Sequence, residues 1–149
     1  MSVANIEPGF ALLPFKWLDA FSIEIPEIDA DHRKLIDLSE KLTHLLRINR
    51  QWSRVVAVLK SIRKYWVAHC RREERILNTD KYPDIVQHQQ EHRRITQSMD
   101  RIIALLSGAS KRGSSTDVET ASMFRSMIID HMLLFDLAYK SHVLYARGR

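Results

Sequence analysis

Apolar residues in this chain recur every three or four positions over four long stretches, and that period constrains the fold more than any other feature. Such a stripe lies along one face of an α-helix. The first stretch carries Leu35, Leu38, Leu42, Leu45 and Leu46 and runs to about Ile48, opening after "EIDAD" with Asp29 or Asp31 as its cap. Asn49 to Ser53 breaks it. The second runs from about 53 to 77, with Val55, Val58, Leu59, Ile62, Trp66, His69, Glu73 and Leu77 on its stripe. The third opens at Pro83, a residue suited to a first helical position. It turns Ile85, His88, His92, Ile95, Met99, Ile102 and Leu106 inward. "SGASKRGSST" reads as a flexible connection. "TDVE", Thr116 to Glu119, reads as a capping box that opens the fourth stretch, which runs to about Tyr145. Gly and Pro number only four each in 149 residues, which favours long helices over many short strands. The expected fold is all-α, an up-down-up-down four-helix bundle. It forms one domain over residues 29–149, preceded by an N-terminal arm, residues 1–28, with Trp17, Phe21, Ile23 and Ile25 as its anchors.

Composition removes several function classes. No apolar run approaches the roughly 20 residues that span a membrane. The first residues lack the basic region of a signal peptide. Cys70 is the only cysteine, so no internal disulfide forms, and a reducing, cytoplasmic location is expected. The net charge of +5 raises nucleic acid as a partner. However, Arg47, Arg50, Arg71, Arg72, Arg93, Arg94, Lys111 and Arg112 are dispersed, many among acids as in "RREER". That pattern is a solvated mixed-charge surface, and no nucleic-acid partner is expected.

Histidines carry the functional signal. "DIVQHQQEHRRI" places His88 and His92 four apart, and "HCRREE" places His69 four before Glu73. Residues four apart face the same way on a helix. A carboxylate on the apolar stripe of the second helix is costly unless a cation lies beside it. In an up-down-up-down bundle the starts of helices one and three share an end with the finishes of helices two and four. His32, His69, Glu73, His88, His92, His131 and Asp136 therefore gather at one end. His131 and Asp136 are the exception to simple spacing, since five residues turn a helix about 140° past one revolution. His44 is expected at the surface. His142, about 16 Å along the axis from His131, is expected to be structural or exposed. A single zinc takes about four ligands, so five imidazoles and two carboxylates suit two ions, and imidazole with carboxylate is compatible with iron.

The order of these pieces resembles the hemerythrin family in its bacterial form. An early Trp17 precedes "IDADH" ending in His32, "HCRREE" with His69, Glu73 and Glu74, "HQQEH" with His88 and His92, and "HMLLFD" from His131 to Asp136. The resemblance covers about residues 17–145. It implies two iron ions in a non-haem centre with an oxo or hydroxo bridge, which binds O2 reversibly for transport, storage or delivery. By that resemblance His88, His92 and His131 hold one iron, His32 and His69 hold the other, and Glu73 and Asp136 bridge them. The second iron is then one ligand short, which is where O2 binds. Glu74 reads as an outward partner for arginine. The matching O2-pocket positions are Leu35, Cys70, Met127, Ile128 and Met132. Cys70 stands where the family has Phe, and Met127 where it has Trp. These exchanges predict a roomier, wetter pocket and faster decay to ferric iron. O2 is the expected partner, no enzymatic activity is expected, and the chain is expected to be a monomer or a weak homo-oligomer.

Other readings fit less well. A zinc peptidase built on H-x-x-E-H leaves the other ligand positions unexplained. A ferritin-like oxidase uses paired Glu-x-x-His motifs, which are absent. The same fold used to sense O2, redox state or nitric oxide, or to reduce peroxide or nitric oxide, is the alternative. A metal-free helical interaction protein is the fourth reading.

Overall fold

The computed structural model describes residues 14–48, 51–108 and 112–148. The first 13 residues of the expected arm, the break at 49–50 and residues 109–111 of the third connection lie outside them. Among the described residues the architecture is all helical: α1 (Pro26–Ile48), α2 (Trp52–Thr79), α3 (Ile85–Leu106), α4 (Ser115–His131) and α5 (Leu137–Ala146). A five-residue π turn, Met132–Asp136, joins α4 to α5 in one continuous rod. α1 packs on α2 and α4, and α3 packs on the same two, which is the ring of an up-down-up-down bundle. The Trp52 indole donates to the Leu106 carbonyl at 3.0 Å, tying the start of α2 to the end of α3. At the other end, His142 Nε2 donates to the Asp80 carbonyl at 2.9 Å and Arg147 pairs with the Asp80 carboxylate at 3.1 Å.

Helix ends differ in detail from the sequence expectation. α1 starts at Pro26, so Asp29 already lies in its first turn. Asp29 folds back to accept the Ile23 amide at 2.9 Å and the Ser22 hydroxyl. Pro83 sits in the turn before α3, which opens at Ile85 after Asp84. The capping box is Ser114 with Asp117, not Thr116 with Glu119. Ser114 Oγ accepts the Asp117 amide at 3.1 Å, while Asp117 accepts the amides of Ser114 at 3.3 Å and Gly113 at 2.9 Å. Gly113 makes that possible with a φ of +99°, a left-handed conformation that costs glycine little.

The apolar interior has two parts. The larger contains Leu35, Leu42, Leu59, Ile62, Trp66, Cys70, Ile95, Met99, Phe124, Ile128 and Met132. The smaller contains Ile23, Ile25, Ile28, Ile76, Leu77, Tyr139 and Val143. Of the arm's expected anchors, Ile23 and Ile25 are buried in this smaller part. Trp17 and Phe21 are half-buried, and Trp17 lies under the Arg33 guanidinium at 4.4 Å. On every rod the functional side chains fall where one apolar part gives way to the other. His32 follows Ile28 and precedes Leu35, Glu73 lies between Cys70 and Ile76, and Asp136 lies between Met132 and Tyr139. The polar residues thus form a layer across the bundle, with an apolar cluster on either side.

Candidate metal centre

The sequence expectation that the seven ligand-type residues gather at one level matches their placement. His32, His69, Glu73, His88, His92, His131 and Asp136 are each at most 2% exposed. They form two groups that share both carboxylates: His88, His92 and His131 with Glu73 and Asp136, and His32 and His69 with the same two acids. Each carboxylate divides its oxygens between the groups. Asp136 Oδ1 lies 2.9 Å from His131 Nε2 and 3.2 Å from His88 Nε2, while Oδ2 lies 2.8 Å from His32 Nε2. Glu73 Oε1 meets His88 Nε2 and stands 3.2 Å from His92 Nε2, while Oε2 is 3.1 Å from His69 Nε2.

The π turn explains how Asp136 takes part. An α-helix places its side chain well round from His131, but a π turn holds more residues per revolution. The Leu137 amide donates to the Met132 carbonyl, five residues back. That wider loop returns Asp136 to the face of His131. No feature of "MLLFD" announces it, because each of those residues is at home in an α-helix.

Electrostatics of the layer favour a cation. Burial opposes charge on Glu73 and on Asp136. Even so, the neighbouring histidines, His69 first for Glu73 and His131 first for Asp136, hold both carboxyls well below the usual carboxylate range. In turn, burial opposes charge on His69, but Glu73 beside it raises its pKa to about 10. His88 is raised to about 9 in the same way, by Asp136 and Glu73 acting against burial. The two buried carboxylates thus favour positive charge between them.

The fit to a metal rests on the bonds these atoms lack. The Nε2 atoms of His32 and His69 and both Asp136 oxygens are buried without a hydrogen-bond partner. They are close to one another yet not aligned as donor and acceptor. His92 Nε2 and His131 Nε2 face each other at 3.1 Å, an arrangement that suits two lone pairs converging on one cation. Buried polar atoms without partners cost on the order of 1–3 kcal/mol each, and a shared cation removes that cost.

Around the layer, Trp66 is edge-on to His92 and His131 at 5.5 and 5.1 Å. Its indole is fixed by a 3.0 Å bond to the Thr96 hydroxyl. Phe135 stacks on His131 at 5.3 Å. Three polar residues were not singled out as functional by the sequence reading. The Tyr139 hydroxyl, fully buried, donates to Glu73 Oε2 at 3.0 Å. Glu74 accepts from His92 Nδ1 at 2.7 Å, which corrects the expectation of an arginine partner. Asp31, considered only as a helix cap, faces His69 Nδ1 at 3.4 Å and holds Arg72 at 2.8 and 3.0 Å. A tyrosine three residues past Asp136 and an acid next to each ligand-type residue of "DH" and "EE" were the available signals.

The expected pocket residues join the larger apolar cluster. Leu35, Cys70, Ile128 and Met132 are buried, and half-buried Met127 packs against them. Cys70 also lines a groove of about 230 Å³ between α2 and α3, with Val67, Arg71, Glu74, His92 and Thr96. Burial, together with the Glu73, Glu74 and Asp136 carboxylates, pushes its thiol pKa far up, so it stays protonated and neutral. His44 is exposed and His142 half-buried, both outside the centre, as expected. No helix among the described residues is long and apolar enough to cross a membrane.

A sequence profile described as the hemerythrin HHE cation binding domain matches residues 24–141. A bacteriohemerythrin of Clostridium acetobutylicum is 28% identical over 81 residues, which is 52% of this chain and 63% of that protein. The alignment therefore spans less than two thirds of that relative's length.

Proposed function

The chain belongs to the hemerythrin family, and from that premise we propose that it binds O2 reversibly at two iron ions held by the seven buried side chains. One observation carries the reading: Glu73 and Asp136 each give one oxygen to the three-histidine group and the other to the two-histidine group. That is how two carboxylates bridge a pair of ions. When bound, an iron pair supplies the two electrons that reversible capture of O2 takes.

The chain's own residues do the rest. His88, His92 and His131 with the two acids offer five donors on one side. His32 and His69 with the same acids offer four on the other, so an external ligand has its place on the His32 side. Leu35, Ile128 and Met132, all buried, keep bulk water from that layer. Tyr139 holds Glu73 through its hydroxyl; burial and the Glu73 and Asp136 charges push the phenol pKa well up, so it remains a donor.

The groove beside Cys70 favours a second reading, in which the same centre consumes peroxide or nitric oxide. That groove, about 230 Å³ and lined by Cys70, leaves room for a small molecule beside His92. Metal analysis and one spectroscopic experiment test both. Purified protein is expected to hold two irons per chain. Anaerobically reduced protein is expected to gain charge-transfer absorption on exposure to air and lose it when O2 is removed. Absorption that never reverses, with peroxide or nitric oxide turned over, favours the second reading; zinc alone or no metal ends both.

A further inference from the structure

We infer that Asp31 and Glu74 are positioning residues, each governing metal binding in one half of the centre. The inference rests on the two-ion reading above. A histidine that ligates through Nε2 keeps its proton on Nδ1, and an acceptor behind Nδ1 fixes both the tautomer and the ring orientation. Glu74 is such an acceptor for His92, at 2.7 Å. An ionised carboxylate only accepts, so His92 carries its proton on Nδ1 and turns the Nε2 lone pair to the centre. Asp31 Oδ2 faces His69 Nδ1 at 3.4 Å, longer than a hydrogen bond and within reach of a small ring rotation. The Nδ1 atoms of His32, His69 and His131 have no hydrogen-bond partner, and of the three His69 has a carboxylate, that of Asp31, behind it. One histidine of each half is thus backed by an outer acid.

The two acids are held differently. Asp31 is gripped by both forks of Arg72, Nε on Oδ2 at 2.8 Å and Nη2 on Oδ1 at 3.0 Å. Arg72 stands three residues after His69 on α2, and Asp31 immediately precedes His32 on α1. The clamp therefore joins the two helices that supply the two-histidine half. Glu74 immediately follows Glu73 on α2 and reaches across to α3, where it meets the three-histidine half. Adjacent helical residues point about 100° apart. Each outer acid therefore turns away from its neighbour in the layer and toward the adjoining helix.

Anaerobic titration with Co²⁺, followed by visible absorption and by histidine NMR, tests the assignment. Wild-type protein is expected to take two Co²⁺ per chain. Asp31→Asn and Glu74→Gln are each expected to keep one ion at wild-type affinity and to weaken the other about 10–100-fold. At one equivalent of Co²⁺, Glu74→Gln is expected to broaden the His32 and His69 ring signals, and Asp31→Asn those of His88, His92 and His131. In metal-free protein, Glu74→Gln is also expected to shift the His92 ring nitrogen signals. Circular dichroism monitors the fold. Where an amide variant loses helix, Arg72→Lys and Glu74→Asp alter reach but keep charge, with the same half expected to weaken. Two ions held at wild-type affinity by either variant, or equal weakening of both, overturns the inference. Wild-type protein that takes fewer than two ions overturns the two-ion reading instead.

Discussion

His131 and Asp136 are five residues apart, and their Nε2 and Oδ1 atoms lie 2.9 Å apart. The π turn between them makes this contact by adding one residue to a single helical revolution. The rod beyond it continues in register, since Tyr139 and Val143 of α5 are fully buried in the smaller apolar cluster. Removing one residue should convert the turn to α-helix without disturbing α5. Leu134 is 70% exposed, so its deletion sacrifices little packing. The deletion variant is expected to fold, with a metal-free Tm within a few degrees of wild type. Its metal affinity is expected to stay within about tenfold of wild type, because His131 and the acid are then four residues apart and still face the same way. Thermal melts and metal titration check this; a variant that fails to fold shows instead that α5 packing needs the turn.

Tyr139 donates its hydroxyl to a buried carboxylate, and hydrogen bonds to charged groups contribute about 1.5–3 kcal/mol. Tyr139→Phe keeps the ring and removes that donor. Metal-free protein is expected to lose roughly 2 kcal/mol in denaturant unfolding, with the slope of the transition unchanged. A loss below about 0.5 kcal/mol would mean that other groups satisfy Glu73 without the phenol.

Much of this fold was readable in the chain because burial on a helix is periodic. The stripe of α2 from Val55 to Leu77 is buried as its spacing requires, and His69 and Glu73 fall on it. What the chain did not reveal depends on contacts between elements. Thr116–Glu119 and Ser114–Asp117 share the same spacing, and the choice between them rests on the backbone turn at Gly113. Glu74 has arginines near it in sequence, and only the packing of α3 on α2 brings His92 to it. The π turn is set by the need to bury both His131 and Asp136 on one face, which no local propensity encodes.

Protons and metal compete for the same nitrogens. In metal-free protein the pKa values of His69 and His88 are raised from 6.5 to about 10 and about 9. A raised histidine pKa contributes stability that is complete below about pH 6.5 and is lost as pH climbs through the folded value. Metal-free protein is therefore expected to show a Tm that falls between about pH 7 and 10. Loaded protein, whose rings are held by metal, should show little change there. Metal uptake in unbuffered solution should acidify it. A metal-free Tm that stays level to pH 10, or uptake without proton release, contradicts the arrangement described.

Cys70 gives a direct test of the groove beside the metal layer. Its side chain is buried, yet it forms part of the wall of a groove that also touches His92 and Glu74. Arg71, Arg93 and Glu74 line the same groove, so charged side chains of both signs border this approach to His92. On the O2-binding proposal, entry of water or an anion beside the centre favours separation of charge, and with it conversion of an oxygenated form to ferric iron. Cys70→Phe adds an apolar ring and fills part of that space. The variant is expected to bind O2 and to lose its oxygenated spectrum several-fold more slowly than wild type. Azide binding to the ferric protein, followed by stopped flow, should slow in parallel. Met127→Trp acts on the half-buried side of the same apolar cluster and serves as a comparison, with a smaller effect expected on azide entry. Unchanged decay and unchanged azide kinetics in Cys70→Phe would mean that the groove is packing space rather than a route to the metal layer.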